Sequence, residues 1–213
     1  MMMKSEMFNP YLGRSYAKEE ILDAIGKCDV KKYKYTEDYL KECAQLISEG
    51  KIVGWFQAGA EIGPRALGHR SILADPRRKE MKDIINSRVK FREAFRPFAP
   101  SVLWEYQTEY FNLDIPNPYM LMACDIHKDK WDVIPSVTHV DGTGRVQTVM
   151  KELAPEFHAL IEEFNKITNV PVVLNTSFNI KGEPIVETPE DAIRCFLNTG
   201  IDYLIINQYI LWK

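Results

Sequence analysis

Four stretches of this chain place side chains at spacings suited to holding an anion. In Gln57-Ala58-Gly59-Ala60-Glu61-Ile62-Gly63-Pro64-Arg65-Ala66-Leu67-Gly68-His69-Arg70-Ser71, three glycines allow tight turns that expose N–H groups. Arg65 and Arg70 add planar forks matched to phosphate or carboxylate oxygens. The stretch lacks the Gly-Lys-Ser/Thr of a P-loop and the glycine spacing of a dinucleotide fingerprint. A turn with solvated arginines explains the pattern equally well. In Lys90-Phe91-Arg92-Glu93-Ala94-Phe95-Arg96-Pro97-Phe98-Ala99-Pro100, cations alternate with aromatics, and two prolines stiffen the backbone. Lys90, Arg92 and Arg96 suit a polyanion pocket, while Phe91, Phe95 and Phe98 read more simply as core. In Asn175-Thr176-Ser177-Phe178-Asn179-Ile180-Lys181, short hydrogen-bonding side chains crowd the end of an expected strand, where α/β proteins place ligand loops. In His139-Val140-Asp141-Gly142-Thr143-Gly144-Arg145-Val146-Gln147, a lone imidazole argues against a metal site. His139 suits a hydrogen bond to a phosphate or carbonyl, and a structural histidine fits as well. Nucleophile elbows, paired histidine ligands and catalytic-cysteine contexts do not stand out, so positioning and charge neutralisation is the chemistry on offer.

Elements that position these groups follow from periodicity. A short helix carries Ile21, Leu22 and Ile25 and ends at Gly26. Thr36 caps a second, with Leu40, Cys43, Ala44 and Ile47 on one face and Gly50 as its stop. Ile52–Phe56 reads as a buried strand, and residues 77–90 as a basic helix with Met81, Ile84, Ile85 and Val89 inward. Tyr119–Cys124 and Val170–Leu174 are strand candidates. Between them, Phe157, Leu160, Ile161, Phe164 and Ile167 recur at helical spacing after Pro155. Thr188-Pro189-Glu190-Asp191 opens a capped helix, and Tyr203–Ile206 closes the pattern as a strand. Interleaved helices and strands predict a mixed α/β (α+β) domain over residues 13–213, after a loose lead-in over 1–12. His127, His158 and the Lys128-Asp129-Lys130 turn read as surface.

The 213 residues, 46% hydrophobic and 27% charged, suit one globular domain with a real core. No apolar run reaches the length of a membrane span, and the opening residues lack a signal-peptide core, so a cytoplasmic location is expected. Cys28, Cys43, Cys124 and Cys195 form no Cys-x-x-Cys pair and are expected to be buried thiols. The net charge of −3 hides an asymmetry: residues 65–96 hold ten Lys/Arg against four acids, a net +6 inside a −9 remainder. A local basic block in an acidic protein points to an anionic ligand, not to general coating of nucleic acid.

Together the four segments, with Gly63–Arg77 extended through Ser71-Ile72-Leu73-Ala74-Asp75-Pro76-Arg77, resemble the C-terminal domain of the O-carbamoyltransferases, over nearly the whole chain from Tyr11 to Ile206. Thr176–Gly182 is also similar to the Thr-Ser-x-Asn-x-x-Gly loop of YrdC-type proteins. The resemblance implies a YrdC-like twisted sheet with flanking helices and a basic central groove. It implies binding of carbamoyl phosphate and ATP, with Mg²⁺ on the ATP oxygens, and formation of carbamoyl-adenylate with release of pyrophosphate. Arg65, Arg70, Arg92, Arg96 and Lys90 would then neutralise phosphates. Asn175, Thr176, Ser177, Asn179 and Lys181 would orient the carbamoyl amide or nucleotide, and His139 would bond a phosphate or the carbamoyl oxygen. Transfer to a hydroxyl would fall to a Kae1-like N-terminal domain or subunit, whose counterpart is missing from this sequence. Where the family has Gly-Arg after the residue matching Gln57, this chain has Ala58-Gly59, so one cation of the pattern is absent. The alternative is a non-catalytic nucleotide- or RNA-binding YrdC-like module. A membrane is not among the implied partners.

Overall fold

The computed structural model describes residues 7–93 and 95–213; residues 1–6 of the lead-in and Ala94 of the aromatic–basic motif lie outside the described residues. In chain order the elements are α1 (Lys18–Lys27), β1 (Tyr33–Tyr35), α2 (Tyr39–Ser48), β2 (Val53–Phe56), β3 (Arg70–Ala74) and α3 (Met81–Ile85), which continues as a π-helical turn over Asn86–Lys90. Then come β4 (Ala99–Leu103), α4 (Gln107–Tyr110), β5 (Cys124–Asp125), β6 (Thr143–Gly144), β7 (Gln147–Val149) and α5 (Pro155–Thr168). The last are β8 (Val172–Ser177), α6 (Pro189–Leu197), β9 (Tyr203–Ile206) and β10 (Tyr209–Trp212).

Eight strands form one mixed sheet in the order β1-β10-β9-β2-β3-β8-β4-β7, while β5 and β6 pair separately. β2 runs parallel to β9 and β4 parallel to β7; the other pairs are antiparallel. Every residue of β2, β3 and β4 is buried, so the middle of the sheet is covered on both faces. The mixed α/β architecture predicted from the sequence is the one observed.

Local chemistry explains the best-anticipated elements. Phe157, Leu160, Ile161 and Phe164 of α5 are buried at helical spacing, after Pro155 in the first turn and before Asn169 in the left-handed conformation that ends the helix. Thr188 Oγ1 accepts from the Asp191 N–H at 3.1 Å and Asp191 returns a bond to the Thr188 N–H, which closes a capping box on α6.

Elsewhere the structure corrects the sequence reading. Gly26 lies inside α1, and the left-handed residue beyond that helix is Asp29. Asp38, not Thr36, occupies the N-cap position of α2, because Thr36 Oγ1 takes the Asp38 N–H in a local turn. The basic helix begins only at Met81 and turns π-helical after Ile85. Tyr119–Cys124 is not a strand: Met120 is left-handed, and Asn117 Oδ1 takes the Leu121 N–H in a turn. β8 runs on through Asn175-Thr176-Ser177, so this motif sits in the strand itself. Cys43 and Cys195 are buried, but Cys28 and Cys124 are only half-buried. Phe98 is core, whereas Phe91 and Phe95 are exposed, because Phe91 leaves the π turn with a left-handed backbone. His158 is buried beside Glu105 at 3.0 Å. The described lead-in is not loose: the Gly13 N–H donates to Ala60 O, the Ile62 N–H to Pro10 O and Tyr119 Oη to Phe8 O.

Candidate functional site

The second, third and fourth segments meet the glycine-rich one at the middle of the sheet. Between β2 and β3 the chain leaves as a loop whose tip, Pro64-Arg65-Ala66, forms one wall of a small cleft of about 130 Å³. Alone it is smaller than a drug-sized ligand site, about 300–1,000 Å³, and it opens into a longer groove at both ends. Asn175, Thr176 and Ser177 of β8, beside β3, form the floor, and Arg92 with Pro97 and Phe98 forms the facing wall. Arg145, on the approach to β7, closes the end together with Met120. The groove continues past Arg92 toward Arg96 and His139 on one side, and past Arg65 toward Phe8, Tyr119 and Leu121 on the other.

Electrostatically the cleft is cationic. Arg65 is exposed and Arg145 half-buried, with the Arg145 Nε unpartnered. Among the described residues no ion pair neutralises Arg65, Arg92 or Arg145; the ion pair at this end of the groove joins Arg96 to Glu93 at 3.0 Å. Burial, followed by the nearby Arg65, pulls the pKa of Arg145 down, and burial followed by Arg96 does the same to Arg92. These shifts measure how the pocket disfavours unmatched positive charge, which a bound phosphate would relieve. Arg92 is aimed by a bond from Nε to Asn86 Oδ1 at 2.8 Å and lies over the Phe98 ring at 4.8 Å.

The floor is held by a buried polar network. Asn175 Nδ2 donates to Ser101 Oγ (3.1 Å), Gln147 Oε1 (3.0 Å) and Ala66 O (3.3 Å), while Asn175 Oδ1 has no partner. Lys90 lies behind Ser177: its ammonium donates to Ser177 O, Ser177 Oγ, Asn179 O and Asn179 Oδ1. It pins the end of β8 rather than lining the cleft. Burial, followed by Arg92, pushes its pKa down to about 7. Asn179 is consumed in the same network, and Lys181 projects from an exposed turn beyond it.

Two expected groups serve elsewhere. Arg70 is fully buried, packs over the Phe56 ring at 3.6 Å and donates to the carbonyls of Arg14, Gln57, Ala58 and His69, so it braces the loop from behind. His139 reaches the groove's extension, with Nδ1 3.2 Å from Thr143 Oγ1, and burial lowers its pKa so that it is neutral near pH 7. The Thr143 hydroxyl stands between His139 and Asp141: it lies against the imidazole and donates to Asp141 Oδ1 at 2.8 Å, and the Thr143 N–H donates to the same oxygen. The loop N–H groups expected to meet a ligand are also taken, by Glu61.

The profile of the carbamoyltransferase C-terminus family matches residues 44–213. The chain belongs to that family. Nodulation protein NolO of Bradyrhizobium diazoefficiens is 42% identical over 97% of this chain and 38% of its own length. Nodulation protein NolNO of Sinorhizobium fredii is 42% identical over 97% of this chain and 30% of its own. The chain thus spans well under half the length of these curated relatives. Among solved structures, full-length HypF in its phosphate- and nucleotide-bound form superposes with a TM-score of 0.58 at 20% identity, over 81% of this chain and 25% of that one. This likeness supports the YrdC-like fold expected from the sequence.

As a carbamoyltransferase C-terminus, the chain lines and supports its cleft with residues that its motifs did not reveal. Arg145 is a lone cation between a turn and a strand, beside the more conspicuous His139 and Asp141. Gln147 and Ser101, which orient Asn175, carry no local signal. Gly59 admits no side chain: a Cβ there would lie 2.7 Å from the carbonyl oxygens of both Tyr11 and Gly13.

Proposed function

We propose that this carbamoyltransferase domain activates a carbamoyl group as its adenylate. The observation that carries the reading is the convergence of Arg65, Arg92 and Arg145, without carboxylate partners, on a cleft floored by Asn175, Thr176 and Ser177. In this reading water hydrolyses carbamoyl phosphate to carbamate and phosphate, and a carbamate oxygen attacks the α-phosphorus of ATP. The bond from that phosphorus to the bridging oxygen breaks, and pyrophosphate leaves. The arginines neutralise charge building on the phosphoryl oxygens, with Arg96 at the groove's extension. The unpartnered Asn175 Oδ1 and the Thr176 hydroxyl suit the amide and an oxygen of the carbamoyl group, while the Ser177 hydroxyl, which donates to Asn179 Oδ1 at 2.7 Å, holds the end of the floor in place. His139, neutral, serves as a hydrogen-bond partner. Among the described residues no cluster of three His, Cys, Asp or Glu could hold a metal ion, so Mg²⁺ enters as part of the Mg–ATP substrate. The phosphate and nucleotide held by HypF support this class of ligand.

The chain supplied with carbamoyl phosphate and Mg–ATP is expected to release pyrophosphate, and to do so only with both present. Arg65→Ala and Arg145→Ala are each expected to lower that rate by about 30- to 1,000-fold, about 2–4 kcal/mol, by analogy with deletion of an oxyanion donor. Circular dichroism confirms that each is folded. Nucleotide binding without pyrophosphate release would instead mark a binding module. RNA affinity falling steeply with salt would mark a nucleic-acid module.

A further inference from the structure

We propose that Glu61 is a positioning residue whose carboxylate acts as a built-in anion, shaping the Arg65 loop before any ligand arrives. The inference rests on the preceding reading only in taking Arg65 as a phosphate contact. Glu61 Oε1 accepts from the backbone N–H groups of Leu67 at 2.7 Å, His69 at 2.8 Å and Arg70 at 3.2 Å. A fan of N–H groups around a left-handed residue, here Gly68 at φ +111°, is a concavity that ordinarily receives an external anion. In this chain a side chain from the start of the same loop fills it.

The carbonyls of the loop are held as firmly. Ala66 O accepts from Asn175 Nδ2 (3.3 Å), and Leu67 O accepts from Tyr11 Oη (2.9 Å) and Gln147 Nε2 (2.6 Å). Gly68 O accepts from Trp55 Nε1 at 2.7 Å. The Tyr11 ring stacks on His69 at 3.8 Å, and His69 Nδ1 lies 2.7 Å from Gly59 O, so the residues before α1 strap the loop from outside. With donors and acceptors both satisfied, the loop presents the unpaired Arg65 side chain to the cleft. A fixed loop loses little freedom when an anion binds, so the affinity of Arg65 depends on the Glu61 charge that organises it.

The test is a double-mutant cycle read by titration calorimetry with inorganic pyrophosphate, on the full chain. Glu61→Gln keeps the shape and removes the charge; it is expected to weaken pyrophosphate binding about tenfold. Arg65→Ala is expected to weaken it further, and adding Glu61→Gln in that background is expected to change nothing, because Glu61 acts through Arg65. Wild-type affinity in Glu61→Gln would overturn the proposal. So would a full tenfold loss in the Arg65→Ala background, wild-type affinity in Arg65→Ala, or no binding by the wild type. Should Glu61→Gln not fold, Tyr11→Phe, which removes one bond to Leu67 O and keeps the ring stack, runs through the same cycle. Pyrophosphate release from Mg–ATP by the wild type is measured separately. Its absence beside an intact cycle would remove the adenylation reading and leave the positioning role standing.

Discussion

Two arginines five residues apart in one motif, Arg65 and Arg70, divide between reception and support. Arg65 stands unpaired at the cleft, while Arg70 serves four backbone carbonyls from a fully buried position. Stability separates such roles. Arg70→Met leaves buried carbonyls without donors and is expected to cost on the order of 3 kcal/mol in urea denaturation. Arg145→Ala, which breaks no ion pair in the described structure, is expected to leave the midpoint nearly unchanged. Lys90 offers a test by pH. Its folded pKa of about 7 lies below the ordinary 10.5. Between those values the unfolded chain therefore holds a proton that the folded chain has released, and this group adds stability as pH rises through the window. Urea midpoints at about pH 7 and about pH 9.5 are expected to differ more in the wild type than in Lys90→Met. An equal difference would mean that Lys90 stays fully charged. The sequence shows residue type and spacing, so Arg65, Arg92 and Asn175 stand out in it as candidates, and the structure places all three on one cleft. The sequence does not show that the register opposite Phe56 turns Arg70 away from the cleft, nor that a carboxylate four residues before Arg65 fills the loop's N–H groups.

Elements with complete local signals were read well. Pro155 and Asn169 bracket α5, Thr188 and Asp191 cap α6, and Val53–Phe56 is apolar enough to be a central strand. Where tertiary bonds decide, the sequence is silent. Asn117 side-chain bonds to Leu121 N, Met122 O and Val146 O turn an apparent strand into a loop, and Asn207, left-handed between β9 and β10, hides a hairpin. The glycine-rich loop depends most on its contact with α5. Gly68 is left-handed at φ +111°, and a Cβ there would lie 2.2 Å from the ring of Phe157, which is fully buried. Gly68→Ala is therefore expected to cost about 2–4 kcal/mol and to speed proteolytic cutting near Arg65. Gly59→Ala, which presses on the outer strap instead, is expected to release residues 7–13 to protease while the α2–α5 packing survives.

At the scale of the molecule, the chain matches the carbamoyltransferase C-terminus and spans 38% of the length of NolO. If activation and transfer are divided as proposed, the chain alone is expected to release pyrophosphate yet carbamoylate no added hydroxyl acceptor. Supplying the remaining portion of a relative in trans, followed by mass spectrometry of the acceptor, checks that division. The sheet order carries a consequence for how the molecule is made. β9 lies between β10 and β2, and β10 in turn lies between β9 and β1, so residues 203–212 fill a gap flanked by residues 33–35 and 53–56. A ribosome delivers the flanks first and the filling last, at about 5–20 residues per second. Until residue 206 emerges, β2 offers an open apolar edge, and nascent copies on one message can pair through it. Slower translation ahead of residue 203 would lengthen that exposure, and the yield of soluble protein would register it.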